Sequence, residues 1–278
     1  MKLKLIRHLW GVREPWETCF PRFVDQGYEG IETDLPDAPA DLDRLQALLA
    51  RHGLALVPQL LVPIDRADNS VGKHVDAFAA MLDRAVRLRP LGITCHAAPD
   101  SWPLEQAVAF YTQALALERQ AGLAVAHETH RGRFFFSPWN TRDVLEKVPG
   151  LHLCVDFSHW VCVCERLIDD LGDILSLCAA RAIHVHARVG FAEGPQVPDP
   201  AVDRYRAQLE AHEAWWDRVW SDQDRRGLPV STLTPEFGPP PYLHVHPHTG
   251  EPLADLEAVC NWMARRQAQR FALRTKSS

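Results

Sequence analysis

The chain has 278 residues, enough for two small domains or for one α/β barrel of about 250 residues, with hydrophobic residues at 46% and charged residues at 24%. Those proportions disfavour a disordered chain and a membrane span alike. A formal charge of −6 disfavours a protein that grips nucleic acid over a broad basic face.

In chain order, short β-rich runs alternate with longer segments of helical period, and the alternation repeats eight times. The predicted strands are 3–9, 30–34, 54–61, 91–96, 123–128, 151–157, 182–187 and 228–237. The first run opens the chain as "MKLKLIRHLWG", which alternates lysine with apolar residues and has no apolar core of signal-peptide length, so a cytoplasmic location is expected. Between the runs, "DLDRLQALLARHG" (41–53) places Leu42, Leu45, Leu48 and Leu49 on one helical face and ends on Gly53. The segment "PLEQAVAFYTQALALERQAG" (103–122) repeats the design, with proline at its start and Gly122 at its stop.

Such alternation implies parallel strands joined by right-handed crossovers. An open doubly wound sheet would announce a glycine-rich phosphate turn after its first strand, and "RHLWG" is not one. The expectation is a single (β/α)8 TIM barrel over residues 1–278, with "GFAEGPQVPDP" (190–200) as an active-site loop. The seven cysteines form no CxxC pair, and "CVC" (162–164) reads as thiols before it reads as a metal pair.

In a barrel the C-terminal strand ends face the catalytic mouth, so what each strand ends in matters most. The last four end in Glu128, Asp156, His186 and Glu236, spaced 28, 30 and 50 residues apart. Three carboxylates brought together repel one another, and a divalent cation removes that penalty. Three oxygen donors and one imidazole suit a single divalent ion, manganese first, with magnesium, cobalt or zinc also compatible. The bland alternative is a set of strand-end residues making salt bridges with Arg131, Arg133 and Arg188; the roles of Arg131 and Arg133 stay open, since either could neutralise the carboxylates or grip an anionic substrate group.

Other residues fall near the same mouth. His159, three beyond Asp156, and Arg188 are expected to bind substrate oxygens. His96, His130, His8, Trp10 and Trp102 are further substrate-binding candidates, with Glu32 nearby; an aromatic face beside hydrogen-bonding groups suits a sugar or polyol. His184 shares the parity of His186 and is as compatible with a supporting role as with ligation. His127 should point to the opposite side of its strand from Glu128. The "HVHPH" loop (244–248) reads as a lid or surface feature, and the closing "RRQAQRFALRTKSS" as a basic helix end.

The segments "AHETHRGR", "VDFSHW", "IHVHARVG" and "TPEFGPPPY", with "GYEGIETD" on the second strand, resemble the xylose-isomerase-like TIM-barrel superfamily. That resemblance implies Glu128, Asp156, His186 and Glu236 as metal ligands, the two glutamates as the proton-exchanging catalytic pair, and His159 as a substrate contact. Arg188 is only approximately placed against the family's substrate arginine. A branch that cleaves DNA uses an additional histidine on the third strand, which reads "LALVPQLLVP" here. The function expected is a metal-dependent sugar or keto-polyol isomerase or epimerase, working by proton transfer through an enediolate. A dehydratase or lyase on a keto-sugar or inosose is the runner-up, and a non-catalytic sugar-binding barrel or subunit of a larger complex is the reading from another class. Expected partners are a small sugar or polyol, with no nucleic acid and no membrane, and a homodimer is compatible.

Overall fold

In the computed structural model, which describes residues 1–65 and 68–274, eight parallel strands close into one barrel in sequence order. The strands are β1 (Lys2–His8), β2 (Gly30–Thr33), β3 (Ala55–Leu61), β4 (Ile93–His96), β5 (Val125–Glu128), β6 (His152–Val155), β7 (Ala182–His186) and β8 (Val230–Thr234). The crossovers carry α1 (Trp16–Asp25), α2 (Pro39–His52), α3 (Val71–Val86), α4 (Leu104–Ala121), α5 (Pro138–Lys147), α6 (Phe157–Cys164), α7 (Gly172–Ala179) and α8 (Arg206–Arg225), and α9 (Leu256–Arg274) follows the last strand. β8 pairs with β1 through Lys2 to Leu5, which closes the ring and leaves no sheet edge open.

The helix limits follow the chemistry read in the sequence. α2 and α4 stop at Gly53 and Gly122, both in the left-handed conformation at φ 64° and 69°, which a glycine adopts without a Cβ penalty. The strand ends differ from expectation in one respect. β6 stops at Val155 and β8 at Thr234, so Asp156 and Glu236 lie just past their strands. Asp156 is the N-cap of α6, where its side chain accepts from the Ser158 amide, so capping ends the strand one residue early. Residues 275–278 of the closing basic segment lie outside the described residues.

Two sets of contacts fix the outside of the barrel. Trp160, Trp215, Trp216 and Trp220 are fully buried and fill the layer where α6 and α8 pack on the sheet. On the opposite side of β5 from Glu128, His127 meets Glu118 of α4, with Nε2 and Oε1 2.9 Å apart, and the Val125 amide donates to the other Glu118 oxygen. A polar helix residue therefore satisfies two buried donors, as the outward direction of His127 requires.

After β7 the chain crosses α6 so closely that only glycine fits. A Cβ at Gly190 would lie 2.5 Å from the Ser158 carbonyl oxygen and 2.8 Å from its Cα, both backbone atoms. Replacement Gly190→Ala is expected to cost about 1–3 kcal/mol, the range for overpacking a rigid contact. Urea denaturation checks this: the midpoint should fall at an unchanged slope, and a wild-type midpoint would mean that the loop moves aside freely.

Candidate active site

The four strand-end residues converge as their spacing requires. Glu128, Asp156, His186 and Glu236 are all buried, and one ligand-type atom from each lies within 4.8 Å of the others. Glu128 and His186 close β5 and β7, Asp156 caps α6, and Glu236 follows β8, so four neighbouring barrel units each contribute one group.

His186 occupies the centre. Its Nε2 lies 3.0 Å from Glu32 Oε1, and its Nδ1 lies 3.0 Å from Glu236 Oε2 and 3.3 Å from Glu128 Oε2. Neither Nδ1 contact has hydrogen-bond geometry, and both Nδ1 and Glu128 Oε1 are buried without a hydrogen-bond partner. Buried orphans of this kind call for an explanation, and two of them among three carboxylates and an imidazole fit a cation site. Burial alone pushes the His186 imidazole down, but Cys154, Glu236, Glu32 and Glu128 together hold its pKa well above the ordinary value.

Glu32 is completely buried in the barrel interior. The hydroxyls of Thr94 on β4 and Thr234 on β8 donate to its two oxygens at 2.6 and 2.5 Å, while His184 Nε2 approaches to 3.4 Å. It is placed beneath the cluster, gripping His186, and does not border the cavity. His184 is likewise a supporting group, hydrogen-bonded to Thr232 and Thr234.

Each of the other carboxylates has a positively charged or donating neighbour of its own. Asp156 is paired with Arg188 Nη2 and accepts from the Ser158 hydroxyl at 2.5 Å. Burial raises the Asp156 carboxyl, and Glu128 and Glu236 add to that against the pull of Arg188, carrying it to about 6. Burial also opposes ionisation of Glu236, but His186 and Arg188 outweigh it and bring the group to about 2. Glu128 contacts His96 Nε2. Gln59 Nε2 donates to Glu236 Oε1 at 3.3 Å, and His8 Nε2 lies 3.5 Å from the same oxygen.

Above this cluster opens a cavity of about 380 Å³. Glu236 and Arg188 form part of its floor, with His8, Trp10, His96 and His130 around it, and Thr33, Asp34, Gln59 and Tyr242 complete the polar wall. Tyr242 is held between the guanidinium groups of Arg131 and Arg188, 4.9 and 5.1 Å from its ring centre, and meets Trp10 edge to face at 4.9 Å. Trp10 can lie there because position 238 is glycine: a Cβ would come within 2.6 Å of three of its ring atoms. Gln196 brackets that glycine, accepting from its amide at 2.7 Å and donating to its carbonyl at 3.1 Å. The irregular 190–200 segment is therefore tied to the loop after β8.

His159, on the first turn of α6, is fully buried with Nε2 3.8 Å from both Glu128 and Asp156 and 2.6 Å from Arg188 Nη2. Burial, then His130 and Arg188, hold its imidazole well below the ordinary pKa. His130 lies between His96 and His159, tilted against both rings at separations of 4.4 and 4.1 Å.

Two of the expected substrate contacts do not line the cavity: His159 is fully buried behind Arg188, and Trp102 lies elsewhere. Its indole donates to the Asn69 carbonyl at 2.9 Å and its ring packs on His74 and Phe110, so it belongs to the packing around α3 and α4 and does not line the cavity. His244, His246 and His248 lie in an exposed loop outside the cavity wall. The salt bridges considered for Arg131 and Arg133 are not formed among the described residues, and of the three arginines only Arg188 pairs with the carboxylates. Gln59 and Tyr242 were not singled out by the sequence reading; the signal for Gln59 was a lone polar side chain within the apolar run "ALVPQLL" of β3.

The comparisons with known proteins agree with this architecture. No curated protein sequence matches the chain at a significant level. Among solved structures, the chain is similar to a D-tagatose 3-epimerase-like protein at 12% identity and a TM-score of 0.65, with both chains covered completely. It is also similar to a probable 3-DHS dehydratase of petrobactin synthesis from Bacillus anthracis, at 14% identity and a TM-score of 0.62 over 94% of this chain and 97% of that one. A third, a xylose isomerase-like TIM barrel protein from Mycobacterium smegmatis in complex with magnesium, shares 11% identity and a TM-score of 0.62 over 96% and 95%. At these identities the likeness extends to the fold. The family model for the xylose isomerase-like TIM barrel matches residues 20–206, and with the closed barrel this shows that the chain belongs to that family.

Proposed function

We propose that the protein is a divalent-metal-dependent isomerase or epimerase acting on a keto-polyol or keto-sugar, with Glu128, Asp156, His186 and Glu236 holding the metal. The observation that carries this reading is the buried cluster of three carboxylates and one imidazole from four neighbouring barrel units, with two of its polar atoms left without a partner. Structural neighbours that include an epimerase-like protein, a dehydratase and a magnesium complex support it. A divalent ion bound there would supply Lewis-acid polarisation of a substrate carbonyl, with manganese the first candidate by donor type.

The residues divide the remaining work. Glu236 borders the cavity and Glu128 lies beside His96 at its edge, so the two carboxylates are placed to take a proton from the carbon next to a carbonyl and to return it. Gln59 and His8 hold the Glu236 carboxylate from one side. Arg188 presents a donor to substrate oxygens with His159 behind it, 2.6 Å from its Nη2, and Trp10 and Tyr242 give a ring of carbons an apolar wall. Glu32 fixes the far nitrogen of His186, as carboxylates commonly do for metal-bound imidazoles.

A dehydratase reading is favoured by one further feature, the imidazoles of His96 and His130 facing the same cavity, either of which could serve a leaving hydroxyl. Incubating the protein with Mn²⁺ in deuterated water and a panel of keto-sugars, inososes and 3-keto-glycosides separates the two. Deuterium entering next to the carbonyl with the carbon skeleton intact is the expected result, whereas an unsaturated product would establish the lyase.

Protein purified without chelator is expected to hold near-stoichiometric divalent ion by elemental analysis, and His186→Ala should weaken it by at least about tenfold in chelator competition. Absence of any bound divalent ion would overturn the metal assignment. Glu236→Gln should lower isotope exchange by about 10²–10⁴-fold while metal remains bound. Ligand affinity with no exchange in the wild-type chain would instead mark a binding barrel.

A further inference from the structure

Arg133 lines the cavity on the wall formed by the loops after β3 and β5. Its Nη1 donates to the Val62 carbonyl at 2.7 Å, the one side-chain hydrogen bond it makes among the described residues. No carboxylate of the described residues comes within 4.0 Å of its guanidinium. Arg188 on the same cavity is different, because Asp156 and Glu236 already neutralise it.

The mount that carries Arg133 is rigid. Gly132 takes the left-handed conformation at φ 76°, the Arg133 amide donates to the His130 carbonyl at 3.2 Å, and the Phe134 amide donates to Ala98 at 2.6 Å. Residues 99 and 133 form an isolated antiparallel bridge, and the next two side chains, Phe134 and Phe135, are buried in the core. Burial pushes the guanidinium pKa down from its ordinary value, as expected for a cation held away from water without a close counter-charge. A fixed, partly desolvated cation facing a cavity is costly unless something arrives to pair with it.

We infer that the substrate carries a carboxylate that Arg133 receives, which makes it a keto-polyol acid and not a neutral sugar. The inference rests on the cavity being the substrate site of the function proposed above and narrows that function's substrate class. The planar fork of a guanidinium matches a carboxylate in two parallel hydrogen bonds. The cavity volume of about 380 Å³ accommodates a six-carbon acid. A phosphate would ordinarily be met by a row of free backbone amides at a helix N-terminus, but the single 3-10 turn that follows Arg133 (Phe134–Phe136) has its first and last amides already bonded to the Ala98 and Arg133 carbonyls.

Calorimetric titration of Mn²⁺-loaded protein with 5-keto-D-gluconate, D-fructose and D-fructose 6-phosphate tests this, with metal content measured on the same samples. The acid should bind about ten- to a hundredfold more tightly than D-fructose, the factor for hydrogen bonds to a charged partner. Arg133→Met should remove that preference while leaving D-fructose binding unchanged, and Arg133→Lys should keep part of it. Equal binding of the acid and the neutral sugar, a preference that survives Arg133→Met, or tightest binding by the phosphate would each overturn the assignment. Should Arg133→Met fail to fold, the wild-type comparison and Arg133→Lys decide the matter. Preference for the acid in protein that holds no metal would uphold Arg133 and count against the metal site alone, so the two readings fail separately.

Discussion

One ring nitrogen of His186 faces Glu32 and the other faces Glu128 and Glu236, so a single imidazole links three of the four carboxylates buried at this end of the barrel. An isolated buried carboxylate is penalised by several kcal/mol, and these four side chains are almost completely removed from solvent. The arrangement is tolerable because each charge has its own answer: two threonine hydroxyls for Glu32, Arg188 for Asp156, His96 for Glu128, and Gln59 with His8 for Glu236. The supporting residues come from β1, β3, β4, β8 and the segment after β7, so the charge balance of the site and the closure of the barrel depend on each other. A strand out of register by one residue would turn its contribution toward the helices.

The same dependence explains the division between the barrel interior and its outer layer. Inward positions near the mouth carry Glu32, Thr94, His184, His186 and Thr234, a polar layer in place of the branched apolar side chains usual in such barrels. Cohesion is supplied outside, where the buried tryptophans of α6 and α8 and the clusters against α1 and α4 provide the apolar area. The converging polar groups and the apolar packing thus lie on opposite faces of the same strands. The contrast between His127, held by Glu118 of α4, and Glu128, turned into the mouth, places that boundary between two consecutive residues.

The barrel and the four converging residues could be read from the sequence because both depend on periodicity. Strand count, crossover length and the residue at each strand end survive small errors in the limits, and Asp156 and Glu236 reached the cluster although their strands stop short of them. Contacts between residues distant in sequence were not legible in the same way. Glu32 meets His186 across 154 positions and Gln59 meets Glu236 across 177, pairings that exist only once the ring has closed. Trp102 shows the converse: an aromatic in a loop after β4 looked placed for substrate, but a nearby carbonyl and two aromatic rings take it into the packing layer. Arg133 could be assigned to neither neutralising a carboxylate nor meeting a ligand until the positions of its neighbours were known.

The clasp between Gln196 and Gly238 bears on how the mouth behaves over time. Loops after successive barrel strands are ordinarily free to move independently, and closing such loops over a ligand costs conformational entropy at each encounter. Here a buried amide side chain joins the loops after β7 and β8 through both of its polar ends, and Trp10 rests on the glycine it holds. Ordering of that rim takes place during folding, so a ligand meets a surface whose shape is already set. Selection among ligands on this side of the cavity would then rest on fit to a fixed outline and not on the work of closing a flap.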